Sequence, residues 1–179
     1  MKTRPSTKYA ILGALMQGPK HGYEILRFLE SYLDSTWRIS SSQLYLLLKK
    51  LEAEALLRSD VEIQEKRPSK RVFVLTPSGR KVFLEWMHRP AAHVRDLRIE
   101  FLARLFFFNF LSLEGGTRLI EAQIEMLARI REKIKQKEEN EKDGFNMLVF
   151  GFKKATIDAW LKWLVEEAKP FINEVQHNG

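Results

Sequence analysis

Residues 40 to 81 allow few architectures. Ser40-Ser41-Ser42-Gln43 leads into Leu44-Tyr45-Leu46-Leu47-Leu48-Lys49-Lys50-Leu51-Glu52, where Leu44, Leu47, Leu48 and Leu51 recur at helical spacing. Val61-Glu62-Ile63 and Arg71-Val72-Phe73-Val74-Leu75 alternate as strands do. Between them lies a loop with Lys66, Arg67 and Lys70, stiffened by Pro68, and Arg71 adds a fourth cation. Thr76-Pro77 then offers a cap and a first helical position for another helix. A helix, a basic hairpin and a second helix in this order form the second half of a winged helix-turn-helix.

That arrangement suits DNA. Hydroxyls and amides at a helix N-terminus can read base edges in a major groove, and a basic loop beside them can grip phosphates. The candidate contacts on the helix are Ser40, Ser41, Ser42, Gln43, Tyr45, Leu46 and Lys49; on the wing they are Lys66, Arg67, Lys70 and Arg71. One of the four leading polar residues is needed as the helix cap. Four exceed that need, which leaves others for bases or phosphates. Leu46 lies opposite the buried face of the wheel, where an apolar side chain is either a surface accident or a partner for a thymine methyl. Tyr45 flanks the buried face, as a half-buried packing residue would.

Charge follows the same division. The net charge is +7. Residues 1–90 hold 16 Lys and Arg against 9 Asp and Glu, whereas residues 91–179 hold 14 of each. All of the excess sits in the half with the basic hairpin, which fits a nucleic-acid-binding domain joined to a neutral body. Lys2, Arg4 and Lys8 are either further phosphate contacts or a frayed terminus.

Before the hairpin, helices are expected near residues 6–17, capped by Ser6 and ended by Gly18-Pro19, and near 21–33. Asp34-Ser35-Thr36 makes the turn into the helix at 41–55. After it, Val82, Phe83 and Trp86 give a helix a core face, and His88-Arg89-Pro90 marks the domain boundary. Residues 91–179 read as helices only. The stretch 96–113 is apolar nearly all round, which implies a partner subunit. Gly115-Gly116 breaks the chain. Ile120, Ile124, Leu127, Ile130 and Ile134 then form a short coiled-coil-like stripe. The charged segment 135–144 projects into solvent, and a last helix spans about 149–168, ended by Pro170. The fold class is mainly α with a small β-hairpin wing.

Leu12-Gly13-Ala14-Leu15, Gly18-Pro19, His21-Gly22-Tyr23-Glu24-Ile25, Ser40…Leu44-Tyr45…Leu48-Lys49…Leu51-Glu52 and Leu75-Thr76…Gly79 resemble the PadR family of bacterial transcriptional regulators over about residues 8–83. Helix lengths and Trp163-Leu164 make the remainder similar to members with a long C-terminal dimerisation domain. The resemblance implies a winged helix-turn-helix DNA-binding domain at 1–90 and an α-helical dimerisation and effector-sensing domain at 91–179. It implies a homodimer on double-stranded operator DNA, a phosphate contact from Tyr45, and a planar aromatic effector near the dimer interface. Phe101, Phe108, Trp160 and Trp163 are the candidate effector pocket; core and subunit interface is their plainer reading. Three residues depart from the family pattern: Ser42 and Ala55 stand where glycine is usual, and Leu46 where proline is usual. Ala55 should cost about 1 kcal/mol if its turn stays left-handed.

Other functions lack their residues. There is no cysteine, so neither disulfides nor thiolate metal sites arise. His21, His88, His93 and His177 sit on separate elements, without metal-ligand spacing. No nucleophile motif, phosphate-binding loop or paired-carboxylate context is present, so neither an enzyme nor a cofactor or metal is expected. No apolar run reaches the roughly 20 residues of a membrane span, and no signal peptide opens the chain, so a cytoplasmic location is expected. The reading is a homodimeric, sequence-specific repressor binding a pseudo-palindromic operator. The alternatives are a helical protein–protein adaptor whose winged domain ignores DNA, and a non-specific nucleoid-type DNA binder.

Overall fold

The computed structural model describes residues 6–33, 39–62 and 70–177. In order these are α1 (Thr7–Ala14), β1 (Lys20–His21), α2 (Gly22–Leu33), α3 (Ser41–Ala53), β2 (Leu57–Glu62), β3 (Lys70–Leu75), α4 (Pro77–Met87), α5 (Val94–Asp96), α6 (Leu102–Phe110), α7 (Gly116–Glu138), α8 (Gly144–Trp163) and α9 (Lys169–His177). A 3-10 turn, Leu15–Gln17, follows α1, and π-helical turns at Leu97–Phe101 and Leu164–Ala168 precede α6 and α9. Two compact units result. The first runs to Met87 and adds Leu102–Phe107; the second comprises His88–Phe101 and the chain from Phe108 onward. A single cut at residue 90 thus falls just past the first unit, and 102–107 packs with the first unit rather than the second.

In the first unit the expected hairpin has a third strand. β2 and β3 pair antiparallel from Leu57 opposite Leu75 to Glu62 opposite Lys70. β1 joins the other edge of β3, with Lys20 opposite Phe73 and His21 opposite Val72. Gly18, at φ 127°, turns the chain from α1 into β1. Ser6 precedes α1 in helical conformation and makes no side-chain cap, contrary to its expected role. Ile11, Ile25, Leu29, Leu44, Leu48, Leu51, Phe73 and Phe83 are buried between the helices and the sheet. Leu47, expected in this core, is only half-buried.

α6 supplies the core's last piece. Phe107 lies so close over α1 that a Cβ on Gly13 would sit 2.4 Å from its Cζ. Its ring meets Phe83 edge-on at 5.3 Å and stacks with Phe28 at 6.4 Å. Arg104 is also buried; its Nε donates to the Trp86 carbonyl at 3.0 Å, and its guanidinium lies 4.3 Å from the Trp86 ring centroid. Trp86 stacks in turn on Tyr9. Much of the apolar helix is thus covered within the same chain, while Ile99, Leu102, Phe106 and Phe110 on its other face stay half-buried.

The second unit is a helical hairpin with a returning helix. α7 and α8 run antiparallel, joined by ion pairs Arg131–Asp158 and Glu138–Lys154. Arg131's hydrogen bond holds the Asp158 carboxyl below the ordinary carboxylate range. α9 returns to α7 through Lys169–Glu121 and Thr117–Asn173. Gln123, fully buried, donates to the Ala91 carbonyl and accepts from its N–H, pinning residue 91 to α7. Two sequence expectations change here. The charged stretch is cut short, because Asp143 caps α8 by accepting from the Asn146 N–H at 2.8 Å and the helix starts at Gly144. Pro170 does not end the last helix, since it falls in the first turn of α9, where a missing N–H is tolerated.

α3 ends in a Schellman turn. Leu56 N–H donates to Leu51 O and Ala55 N–H to Glu52 O. Ala55 sits there at φ 55°, so the left-handed geometry is kept with a side chain that disfavours it. Thr76 Oγ donates to the Ala55 carbonyl at 2.8 Å and accepts the Gly79 N–H, capping α4. A Cβ on Gly79 would lie 1.9 Å from the Leu56 carbonyl oxygen. Ala55→Gly should stabilise the protein by about 1 kcal/mol, and Gly79→Ala should destabilise it by more, as read from urea unfolding midpoints. An Ala55→Gly variant no more stable than the parent would contradict the strain assigned to this turn.

Candidate nucleic-acid interface

The polar start of α3 divides its residues between two tasks. Ser40 Oγ accepts from the Gln43 N–H at 3.3 Å, and Gln43 Oε1 accepts from the Ser40 N–H at 3.2 Å. This reciprocal capping box spends both residues on the helix terminus. Ser41 and Ser42 are exposed and lie outside that pair. Tyr45, Leu46 and Lys49, one to two turns on, are exposed as well. Leu46 is 70% exposed while Leu44 and Leu48 are buried, so the wheel has the expected roll.

Tyr45 also packs. Its ring lies over the start of α2, where a Cβ on Gly22 would come within 2.7 Å of the phenol oxygen. One part of the ring fixes α3 on α2, and the residue remains 52% exposed. Tyr45 thus packs on α2 through part of its ring while the rest stays exposed.

A second cluster adjoins Gly22, and its His21, Tyr23 and Glu24 are not among the candidate contacts read from the sequence. The His21 N–H donates to Glu24 Oε2 at 2.7 Å, and the His21 ring stacks on Tyr23 at 5.5 Å. His21 Nδ1 lies 3.1 Å from the Arg71 carbonyl oxygen, and Lys70 Nζ lies 5.7 Å from the Tyr23 centroid. His21 and Tyr23 therefore tie β1 and α2 to the root of the wing. The His21-Gly22-Tyr23-Glu24 motif was visible, but its neighbour across 50 residues was not.

The wing cations differ. Arg71 Nη2 donates to Ser59 Oγ at 2.6 Å and pairs with Glu52 at 3.3 Å, so its charge is partly offset by the body of the domain. Lys70 sits over Tyr23 at the start of β3. Lys66 and Arg67 lie outside the described residues, as do Lys2, Arg4, Trp37 and the expected turn at 34–36. Among the described residues, no three His, Asp or Glu gather as metal ligands would, and no helix is long and apolar enough to cross a membrane.

The four tentative effector residues separate. Phe101 and Phe108 are buried. Trp160 meets Trp163 edge-to-face at 5.5 Å. Trp160 alone of the four lines a groove of about 660 Å3 in the second unit, among Ile130, Ile134, Phe152, Arg95 and Arg98.

Comparison with known proteins places the first unit. The model of the transcriptional regulator PadR-like family matches residues 11–85. Residues 11–85 are a PadR-like domain. The negative transcriptional regulator PadR of Bacillus subtilis is 31% identical over 118 residues, which span 66% of this chain and 65% of that protein. A probable transcriptional regulator of Mycobacterium tuberculosis is 29% identical over 90 residues, 50% of this chain and 48% of the relative. The chain thus matches less than two thirds of the length of these curated relatives. Among solved structures, Bacillus subtilis PadR in complex with operator DNA is similar at 24% identity and a TM-score of 0.49, covering 95% of this chain and 99% of that one.

The site geometry makes a stability contrast on α3 of the PadR-like domain. Ser40→Ala should cost about 1 kcal/mol by losing the cap. Leu46→Ser should change stability by no more than about 0.5 kcal/mol, because the side chain is exposed. Thermal unfolding of the two variants decides it; a strongly destabilised Leu46→Ser protein would place Leu46 in the core.

Proposed function

We propose that this protein is a cytoplasmic transcriptional repressor that binds a pseudo-palindromic operator as a homodimer and has no catalytic role. The observation that carries this reading is the exposed stripe Ser41, Ser42, Tyr45, Leu46 and Lys49 on α3, set within a PadR-like domain with a basic wing. A DNA-facing helix needs exposed hydroxyls and cations, and this stripe supplies both without any acid among its members. An adaptor surface would not need Lys66, Arg67 and Lys70 within five residues of one another in sequence. A nucleoid-type binder would not need Leu46, whose use is discrimination at a thymine methyl. The sign of regulation follows the relative named a negative regulator. Residues 1–90 bind DNA and residues 91–179 dimerise.

Phosphate contacts make affinity fall with salt, by about 0.9 log units per log unit of salt for each contact. Alanine at Lys66, Arg67 and Lys70 together should flatten that slope by about two to three and weaken all DNA sequences alike. Arg71→Ala should change it less, because Glu52 already offsets its charge. Leu46→Ser should lose about 1 kcal/mol of discrimination at one T·A pair. Fluorescence anisotropy on a selected operator and on scrambled DNA, at several salt concentrations, tests all three. An unchanged slope in the folded triple variant removes the wing from the interface.

We further propose that a planar aromatic compound relieves repression. The Trp160 groove, with Arg95 and Arg98 at its border, supports this. Among single-tryptophan variants, the one retaining Trp160 should show the strongest quenching by aromatic compounds, and operator affinity should fall with it. A broad aromatic panel that leaves Trp160 emission unchanged assigns the groove another use.

A further inference from the structure

Glu52 is an acid in a place that favours none. It lies in the last turn of α3, at the negative end of the helix dipole. It follows Lys49 by three residues and Tyr45 by seven, so it shares their side of the helix. A free carboxylate there repels the backbone of any duplex laid along α3. The structure engages it from two strands. Ser59 Oγ on β2 donates to Glu52 Oε1 at 2.5 Å. Arg71 Nη2 on β3 donates to Ser59 Oγ at 2.6 Å and lies 3.4 and 3.3 Å from the two carboxylate oxygens. Across the ladder Ser59 stands opposite Phe73 and Val61 opposite Arg71. Ser59 and Arg71 are therefore diagonal neighbours on the sheet face that buries Phe73. The Arg71 backbone is engaged too, with its carbonyl oxygen 3.1 Å from His21 Nδ1.

We propose that Glu52, Ser59 and Arg71 are positioning residues, a strut that holds the wing strands at a fixed angle to α3, and that Arg71 acts on operator affinity through Glu52 rather than by gripping a phosphate. The proposal rests on the DNA-binding reading and names what sets its geometry. The turn at the end of α3 already joins the strands at their near end, where Leu57 lies opposite Leu75. Arg71 is four residues further along β3, a distance of about 13 Å at 3.3 Å per residue. One attachment lets a strand pair pivot; a second attachment at that distance fixes the angle. The strut adds little to stability, because the side chains of Arg71 and Glu52 are 57% and 30% exposed and such pairs are weak. Its value is geometric. Arg71 has a single guanidinium, and that group is turned toward α3 and Ser59. The cations left for phosphates on the wing are then Lys66, Arg67 and Lys70.

The sign of one substitution separates a strut from a charge. Removing an acid beside DNA tightens binding to every sequence if only electrostatics matters. A strut predicts the reverse for the operator. By fluorescence anisotropy on full-length protein, Glu52→Ala should weaken binding to a selected operator by roughly five-fold, with scrambled DNA bound as well as before or better. Arg71→Ala should lose operator affinity by a similar factor while keeping most of its salt slope, since a phosphate contact would remove about 0.9 from it. The two losses should not add in the double variant, because each removes the same strut. Circular dichroism and thermal unfolding should show all three variants folded. Ser59→Ala removes a hydrogen bond and no charge; it should lower the operator-to-scrambled ratio too, and it carries the test if a charge variant fails to fold. Tighter operator binding by Glu52→Ala would overturn the strut and leave Glu52 as a repelling charge. A full 0.9 loss of slope in Arg71→Ala would overturn it in favour of a phosphate contact. An operator-to-scrambled ratio unchanged in Ser59→Ala and Arg71→Ala would overturn it while leaving the DNA reading intact. A parent protein that binds neither DNA would overturn that reading itself.

Discussion

The turn at the end of α3 sets the geometry on which the proposed DNA-facing surface depends. Leu56 is the second residue past the C-cap of α3 and closes the Schellman turn, and it directs the chain straight into β2. Thr76, at the far end of β3, returns to the same turn and bonds the Ala55 carbonyl. Recognition helix, wing and α4 thus meet within a few residues. The absence of a side chain at Gly79 lets α4 press on the Leu56 carbonyl. Because these bonds join backbone to backbone or to a short hydroxyl, they leave little play in the angle between α3 and the wing. A DNA-reading surface needs that fixity, since base contacts fail over errors of an ångström. Ala55, strained at φ 55°, shows that the geometry persists even where the residue disfavours it.

What was legible in the sequence was what repeats locally. The α3 wheel could be rolled correctly from Leu44, Leu48 and Leu51, because amphipathic period is a direct record of burial. Thr76-Pro77 was legible as a helix start, because capping needs only neighbours. β1 was not, since two residues show no alternation and the strand exists only through pairing with β3. The destination of α6 was also hidden. Periodicity shows that a face is apolar but not what covers it, and Phe107 is covered by Gly13, Phe28 and Phe83, all far away in sequence. The start of α8 failed for a related reason: a charged, polar run ending in Asp143-Gly144 reads as a loop until Asp143 is seen as a cap.

The candidate site shows the same limit at finer grain. Counting polar residues at the start of α3 yields a surplus over one cap. The structure engages Ser40 and Gln43 together in the capping box and narrows that surplus to Ser41 and Ser42. Counting cations in the wing treats Lys70 and Arg71 alike, whereas Glu52 and Ser59 hold only Arg71. Composition gives the sign of the surface, and partners across the sheet decide which charges are left to act.

The small number of cations in the α3 and wing contact set bears on why two copies would matter. Besides Arg71, whose charge Glu52 partly offsets, the helix and wing sequences proposed to meet DNA carry Lys49, Lys66, Arg67 and Lys70. About four phosphate contacts give weak, steeply salt-dependent binding at physiological ionic strength. Joining two such domains makes the second binding event intramolecular, and the gain is set by effective concentration rather than by new contacts. In the proposed homodimer, tight operator binding would depend on the subunit interface as much as on α3. Any ligand that loosens or reorients that interface acts on affinity without touching the DNA surface, because it removes the advantage of simultaneous engagement. Under that proposal control belongs to the neutral half, where Trp160 and Phe152 line the same groove.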